Sequence, residues 1–235
     1  MKRIYTAVIR EHFKRNQQMI FLIGPRQAGK TTVSLMAKEF TSQFSYLNWD
    51  NLDHRKIIVE GVNSVASFAG LDKLTSDIPI IVFDEIHKYG KWKTFLKGFF
   101  DTYKGKVNVI VTGSSRLDVY KKGGDSLMGR YFPYRLHQLS LGELGRIDLS
   151  EKEINKPFQN KKQEFDRLLK NGGFPEPFIK NDPKFLNRWK TLRQQQLIRE
   201  DIRDLSRIQE LGQIELLAEI LKHQAGQLTN YSNFA

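Results

Sequence analysis

No cysteine occurs in the 235 residues, which excludes disulfides and thiolate metal sites and fits a reducing compartment. No apolar run approaches the roughly 20 residues that span a bilayer. The longest, Ile78 to Phe83, is only strand-sized. The opening is not expected to be a secretory leader, because Lys2 and Arg3 are followed by IYTAVIREH, with charges where an apolar region would have to lie. That segment reads as a surface helix leading into the first strand, a basic amphipathic targeting peptide being the alternative. His12, His54, His87, His137 and His223 form no ligand pair such as H-x-x-x-H, and only His87 stands near other candidate chemistry. A guanine-specifying N-K-x-D is absent. The nearest run, Asn160-Lys161-Lys162-Gln163, lacks the aspartate. These absences point to a cytoplasmic protein that does not enter a membrane.

The length suffices for one α/β domain plus a smaller helical appendix, and hydrophobic residues at 40% can fill a core. The net charge of +12 is unevenly placed. Residues 86–135 carry eleven Lys/Arg against three Asp/Glu, whereas residues 184–235 carry eight against six. The basic zone, with Lys88, Lys91, Lys93, Lys121 and Lys122, is suited either to nucleic acid such as DNA or to a solvated surface offsetting a bound polyphosphate.

Strand-like and helix-like runs alternate. QMIFLI (18–23) ends in glycine like a buried parallel strand, and TTVSLMAKEF then places Val33, Leu35, Met36 and Phe40 at helical spacing. YLNW (46–49), IPIIVF (78–83), VNVIVTG (107–113) and a segment near Tyr131 to Leu139 read as further strands. Trp92, Phe95, Leu96, Phe99 and Phe100 mark one face of a crossover helix. The pattern predicts an α/β fold with a mostly parallel sheet covered on both faces. Past Gly145 the polar stretch SEKEINKPFQNKKQ ends the core, GGFPEPF (172–178) reads as a rigid turn, and the chain from Lys184 reads as helical, with Trp189, Leu192, Leu197, Ile202 and Leu205 as apolar repeats.

The motifs lie on this frame. Gly24, Gly29, Lys30 and Thr31 match G-x-x-x-x-G-K-[ST] between a strand and a helix. Such glycines let successive N–H groups turn inward as an anion nest, and the helix N-terminus adds positive potential. Lys30 would reach the β/γ-phosphates and the Thr31 hydroxyl would ligate Mg²⁺. The whole loop, Gly24, Pro25, Arg26, Gln27, Ala28, Gly29, Lys30, Thr31 and Thr32, is the candidate nucleotide contact, with Arg26 and Gln27 expected to face solvent. IIVF is followed by Asp84 and Glu85: one carboxylate suits the metal and the next a water-orienting base. At the end of the following strand, VTGSS offers a hydroxyl to a terminal phosphate or the attacking water. Ser114 or Ser115 is preferred over Thr112, and simple strand capping stays open. Arg130, after Gly129, is a candidate arginine finger acting on its own or a neighbour's nucleotide, with a plain surface arginine as the alternative. GDSL (124–127) spells an esterase signature, but no Asp-x-x-His follows.

GPRQAGKTT, VFDEIHK, VTGSS, GRYFPYRLHQLSLGEL and GGFPEPF, in this order, resemble prokaryotic AAA+-type ATPases that carry a C-terminal domain of unknown function. The resemblance covers nearly the whole chain. It implies an additional-strand P-loop core (1–146), a helical lid (147–210) and the opening of a winged-helix-like domain (211–235), so the chain is expected to be truncated. It implies ATP or ADP with Mg²⁺ as ligands, Lys30 and Thr31 as Walker A residues, and Asp84 and Glu85 as the Walker B pair. Ser114 or Ser115 would fill the sensor-1 place, although Asn or Thr is usual there. Arg130 would be the finger, making a homo-oligomer a candidate state, and Pro175 of GGFP would approach the adenine. The expected activity is ATP hydrolysis coupled to conformational change. A nucleotide-gated switch and a DNA-binding regulator are the alternatives.

Overall fold

The structure is a computed structural model and describes residues 1–73, 77–113, 127–145, 149, 161–198, 211–224 and 226–227. Ser114, Ser115, Lys121, Lys122, Ile202, Leu205 and most of the polar stretch after Gly145 lie outside them. The chain divides into two compact units, Met1–Ile179 and Lys180–Ala235.

The first unit is built on a five-stranded sheet of order β2-β3-β4-β1-β5, formed by β1 (Met19–Ile23), β2 (Phe44–Asn48), β3 (Ile80–Asp84), β4 (Asn108–Gly113) and β5 (Tyr131–Arg135). Every pairing is parallel. β1 and β3 are buried at all five positions, as expected of inner strands covered on both faces. Alternation divides β1 between two cores. Met19, Phe21 and Ile23 join Ile81, Phe83, Val109 and Val111 on one face, while Ile20 and Leu22 join Ile80, Val82 and Ile110 on the other.

The first face is covered by α3 (Leu52–Glu60), α4 (Val62–Phe68) and α5 (Trp92–Tyr103). In α5, Phe95, Leu96, Phe99 and Phe100 are the buried stripe, as their spacing predicts. The second face is covered by α1 (Ile4–Arg15) and α2 (Lys30–Met36). Two details depart from the sequence reading. β5 ends at Arg135 rather than continuing to Leu139, and it is an edge strand, where Pro133 removes no interior ladder bond. GGFPEPF is a turn only as far as Phe174. Pro175 opens a short helix, α8 (Pro175–Lys180), because proline is tolerated in a first turn whose N–H groups have no helical partner. Between these lie α6 (Leu141–Gly145) and α7 (Lys162–Asn171).

The second unit contains α9 (Pro183–Gln196) and α10 (Leu211–His223). The Asp182 side chain caps α9, accepting from the Lys184 and Phe185 amides at 3.0 and 3.3 Å. Among the described residues no helix is long and apolar enough to cross a membrane.

Candidate functional site

The loop after β1 is shaped by two glycines. A Cβ on Gly24 would lie 2.3 Å from the Leu136 carbonyl oxygen, so no side chain fits there. Gly29 has φ +96°, a left-handed conformation that opens α2. Lys30 is buried, and its ammonium donates to the Gly24 and Pro25 carbonyls, both at 2.9 Å. Gln27 and Thr32 are exposed, whereas Arg26 is half-buried rather than solvent-facing.

Asp84, at the end of β3, is buried at 3% exposure. Its carboxylate accepts from three hydroxyls: Thr31 at 2.8 Å and Tyr46 at 2.6 Å on Oδ2, and Thr112 on Oδ1. Burial, then the hydrogen bond to this carboxylate, pushes the Tyr46 phenol well above its ordinary pKa. An ionised carboxylate only accepts, so Thr31 donates its proton and keeps its lone pairs for another partner.

Glu85 has φ 56°, a strained value for a residue with a β-carbon. Its amide donates to the Thr112 carbonyl at 3.1 Å. Its Oε2 lies 3.4 Å from the Lys88 ammonium and 3.8 Å from His87 Nε2. Lys88 also reaches Asp50 Oδ2 at 2.5 Å. Desolvation opposes the Lys88 charge, but Asp50 and Glu85 together outweigh it and raise its pKa.

The model of a family described as an AAA domain matches residues 16–145, more than half of the chain. The chain belongs to the AAA domain family. A second family model, a domain of unknown function, matches residues 162–235. No curated protein matches the chain. Among solved structures it is similar to AMPPCP-bound DnaA from Aquifex aeolicus, at 15% identity and TM-score 0.48, over 94% of this chain and 69% of that one. It is also similar to a DNA polymerase III gamma subunit-related protein from Thermotoga maritima, at 12% identity and TM-score 0.41, over 80% and 57% of the two chains. The Aeropyrum pernix ORC1 protein, solved in complex with DNA, matches at 16% identity and TM-score 0.38, over 60% and 45%.

In this AAA domain the loop, Thr31, Asp84 and Glu85 meet at the C-terminal ends of the strands, where ligands of open parallel sheets bind. Pro175 is there too, its Cγ 3.8 Å from where a Gly29 Cβ would be. Arg130 is not. The register pairs Met19 with Tyr131, and the Met19 amide donates to the Arg130 carbonyl at 2.8 Å. Arg130 therefore sits at the opposite end of the strands, about 17 Å from the loop at about 3.3 Å per residue. This corrects the reading in which it serves its own subunit's nucleotide. Its guanidinium instead makes a two-pronged pair with Asp101, at 2.8 and 2.9 Å, and holds that carboxyl below its usual range.

Sequence reasoning passed over four residues. Thr112, ranked below the following serines, donates to Asp84. The register that pairs the two was available once VFD and VTG were read as neighbouring strands. Tyr46 carried no motif. Arg3 and Glu143 form a buried pair at 2.6 Å. Arg3 also donates to the loop carbonyl of Ala28 at 3.0 Å and to that of His137 at 2.8 Å.

Proposed function

We propose that this AAA domain binds ATP with Mg²⁺ and hydrolyses it, coupling turnover to conformational change. The observation that carries the reading is the Thr31–Asp84 hydrogen bond beside the buried Lys30. A hydroxyl with free lone pairs next to a carboxylate is a hard oxygen donor set of the kind Mg²⁺ takes. When bound there, held by Thr31 and Asp84, the cation would supply positive charge against that developing on the phosphates.

The chain's own groups divide the remaining work. The backbone N–H groups from Gly24 to Gly29, other than at Pro25, face the phosphates, with Pro25, Arg26, Gln27 and Ala28 shaping the loop, and Thr32 extends the helix start. Lys30 leaves the Gly24 and Pro25 carbonyls for the terminal phosphates, Thr31 and Asp84 hold the cation, and Glu85 orients the attacking water. Pro175 is assigned to the base. Ser114, beyond the described residues, is assigned to the terminal phosphate. Arg130, remote from its own loop, is assigned to the nucleotide of a neighbouring copy in a homo-oligomer.

A nucleotide-gated switch with little turnover is the second reading, and Glu85 favours it, because Lys88 already pairs with its carboxylate. DNA is the proposed macromolecular partner of the basic zone, where Lys88, Lys91 and Lys97 are exposed. Its affinity would fall steeply with salt. Titration of the chain with ATP, with and without Mg²⁺, tests the proposal. Submillimolar binding strengthened by the cation is expected, and the absence of any nucleotide binding would end it.

A further inference from the structure

Asp84 is gripped from both sides of its own strand. β2 and β4 flank β3, and each sends one hydroxyl to the carboxylate: Tyr46 from β2 donates to Oδ2, and Thr112 from β4 donates to Oδ1. The third donor, Thr31, comes from the helix after the loop. The terminal torsion of an aspartate joins an sp³ to an sp² carbon and has a broad, nearly two-fold preference. Nothing intrinsic to the side chain fixes which oxygen faces the loop. At 3% exposure there is little solvent to do so either, so orientation comes from the hydroxyls.

Why a tyrosine stands at position 46 follows from the register. Asp84 pairs with Asn48, so Tyr46 lies two residues back on the same face, roughly 7 Å along the strand. Serine or threonine there would fall short, whereas a phenol spans the diagonal and reaches Oδ2 at 2.6 Å. The ring packs on the core beside Val82 and edge-on to His54, so it needs no further movement to keep that reach.

We propose that Tyr46 is a positioning residue for magnesium binding: with Thr112 it locks the Asp84 carboxylate in the rotation that serves the cation. This rests on the reading above that Thr31 and Asp84 hold Mg²⁺. Tyr46 touches neither nucleotide nor metal in this account and acts only through Asp84.

The test uses an ATP analogue with a fluorescent ribose label, titrated first in EDTA and then with Mg²⁺ at fixed analogue, on the parent chain, Tyr46→Phe, Thr112→Val and Asp84→Asn. Tyr46→Phe keeps the ring and removes only the donor. Metal-free affinity should stay within about twofold. The Mg²⁺ concentration giving half of the fluorescence change should rise roughly tenfold, the scale of one lost hydrogen bond to a charged group. Thr112→Val should shift it in the same direction, and thermal melts of both variants without ligand check the fold. An unchanged midpoint in both variants would reduce Tyr46 to packing. A lower one would mean that its hydroxyl competes with the cation, and either overturns the proposal. Asp84→Asn separates the two levels. If it loses the Mg²⁺ response while Tyr46→Phe matches the parent, only the role of Tyr46 falls. If it responds as the parent does, the metal assignment falls as well.

Discussion

Replacing Arg3 with methionine removes three hydrogen bonds at once: to the Glu143 carboxylate, to the Ala28 carbonyl in the phosphate loop and to the His137 carbonyl after β5. The two charged side chains are 3% and 7% exposed, so solvent cannot replace the lost partner. Among the described residues, Glu143 would keep only the Ile4 amide at 3.0 Å. Breaking a buried pair by deleting one member costs about 3–5 kcal/mol, because the other charge stays behind uncompensated. At about 2–4 °C per kcal/mol for a unit of this size, the melting temperature should fall by roughly 6–20 °C. Circular dichroism melts and urea titrations at pH 7 measure this. Arg3→Met combined with Glu143→Leu should recover most of the loss, since neither charge is then left buried. A change below about 1 kcal/mol in the single variant, smaller than a typical net hydrogen bond, would refute the reasoning and make the pair a surface contact.

Three further outcomes follow from the site and its surroundings. Lys30→Ala should weaken ATP binding itself, at least tenfold in a calorimetric titration, because it strips the one buried ammonium from the phosphate loop. Arg130→Ala should spare ATP affinity but abolish any rise of specific activity with protein concentration; activity that is independent of concentration and unchanged in the variant would reduce Arg130 to a structural residue that pairs with Asp101. His12 is held below its ordinary pKa by burial, partly offset by its hydrogen bond to the Gln18 carbonyl. The unfolded chain therefore takes up this proton first as pH falls, so the contribution is complete above pH ~6.5 and is lost below it, towards the folded pKa. His12→Gln should flatten the fall in stability below pH 6.5 relative to the parent.

What could be read before the fold was known was local. MIFLI, IIVFD and VNVIVTG are apolar runs bounded by chemistry-bearing residues, and inner parallel strands look like that whatever surrounds them. The α5 stripe is likewise visible in its own twelve residues. Partnerships across the sheet were not. Tyr46 and Asp84 are separated by 38 positions and Arg3 and Glu143 by 140, and nothing in either neighbourhood announces the other. Arg130 shows the intermediate case. In a parallel sheet a residue that precedes a strand and a loop that follows its neighbour lie at opposite ends, a consequence of topology that the motif order conceals. The helical start at Pro175 was hidden by a residue that breaks helices everywhere except in their first turn.

The measurement closest to the central claim is single-turnover release of phosphate from Mg²⁺-ATP by the parent chain and by Glu85→Gln. The substitution keeps size and removes basicity, so both proteins should bind ATP with similar affinity. The parent should release phosphate, and the variant should do so about 10²–10⁴-fold more slowly, the usual span for a lost general base. Equal rates would contradict the assignment of Glu85. A parent that binds Mg²⁺-ATP and releases no phosphate would contradict hydrolysis altogether and leave a switch.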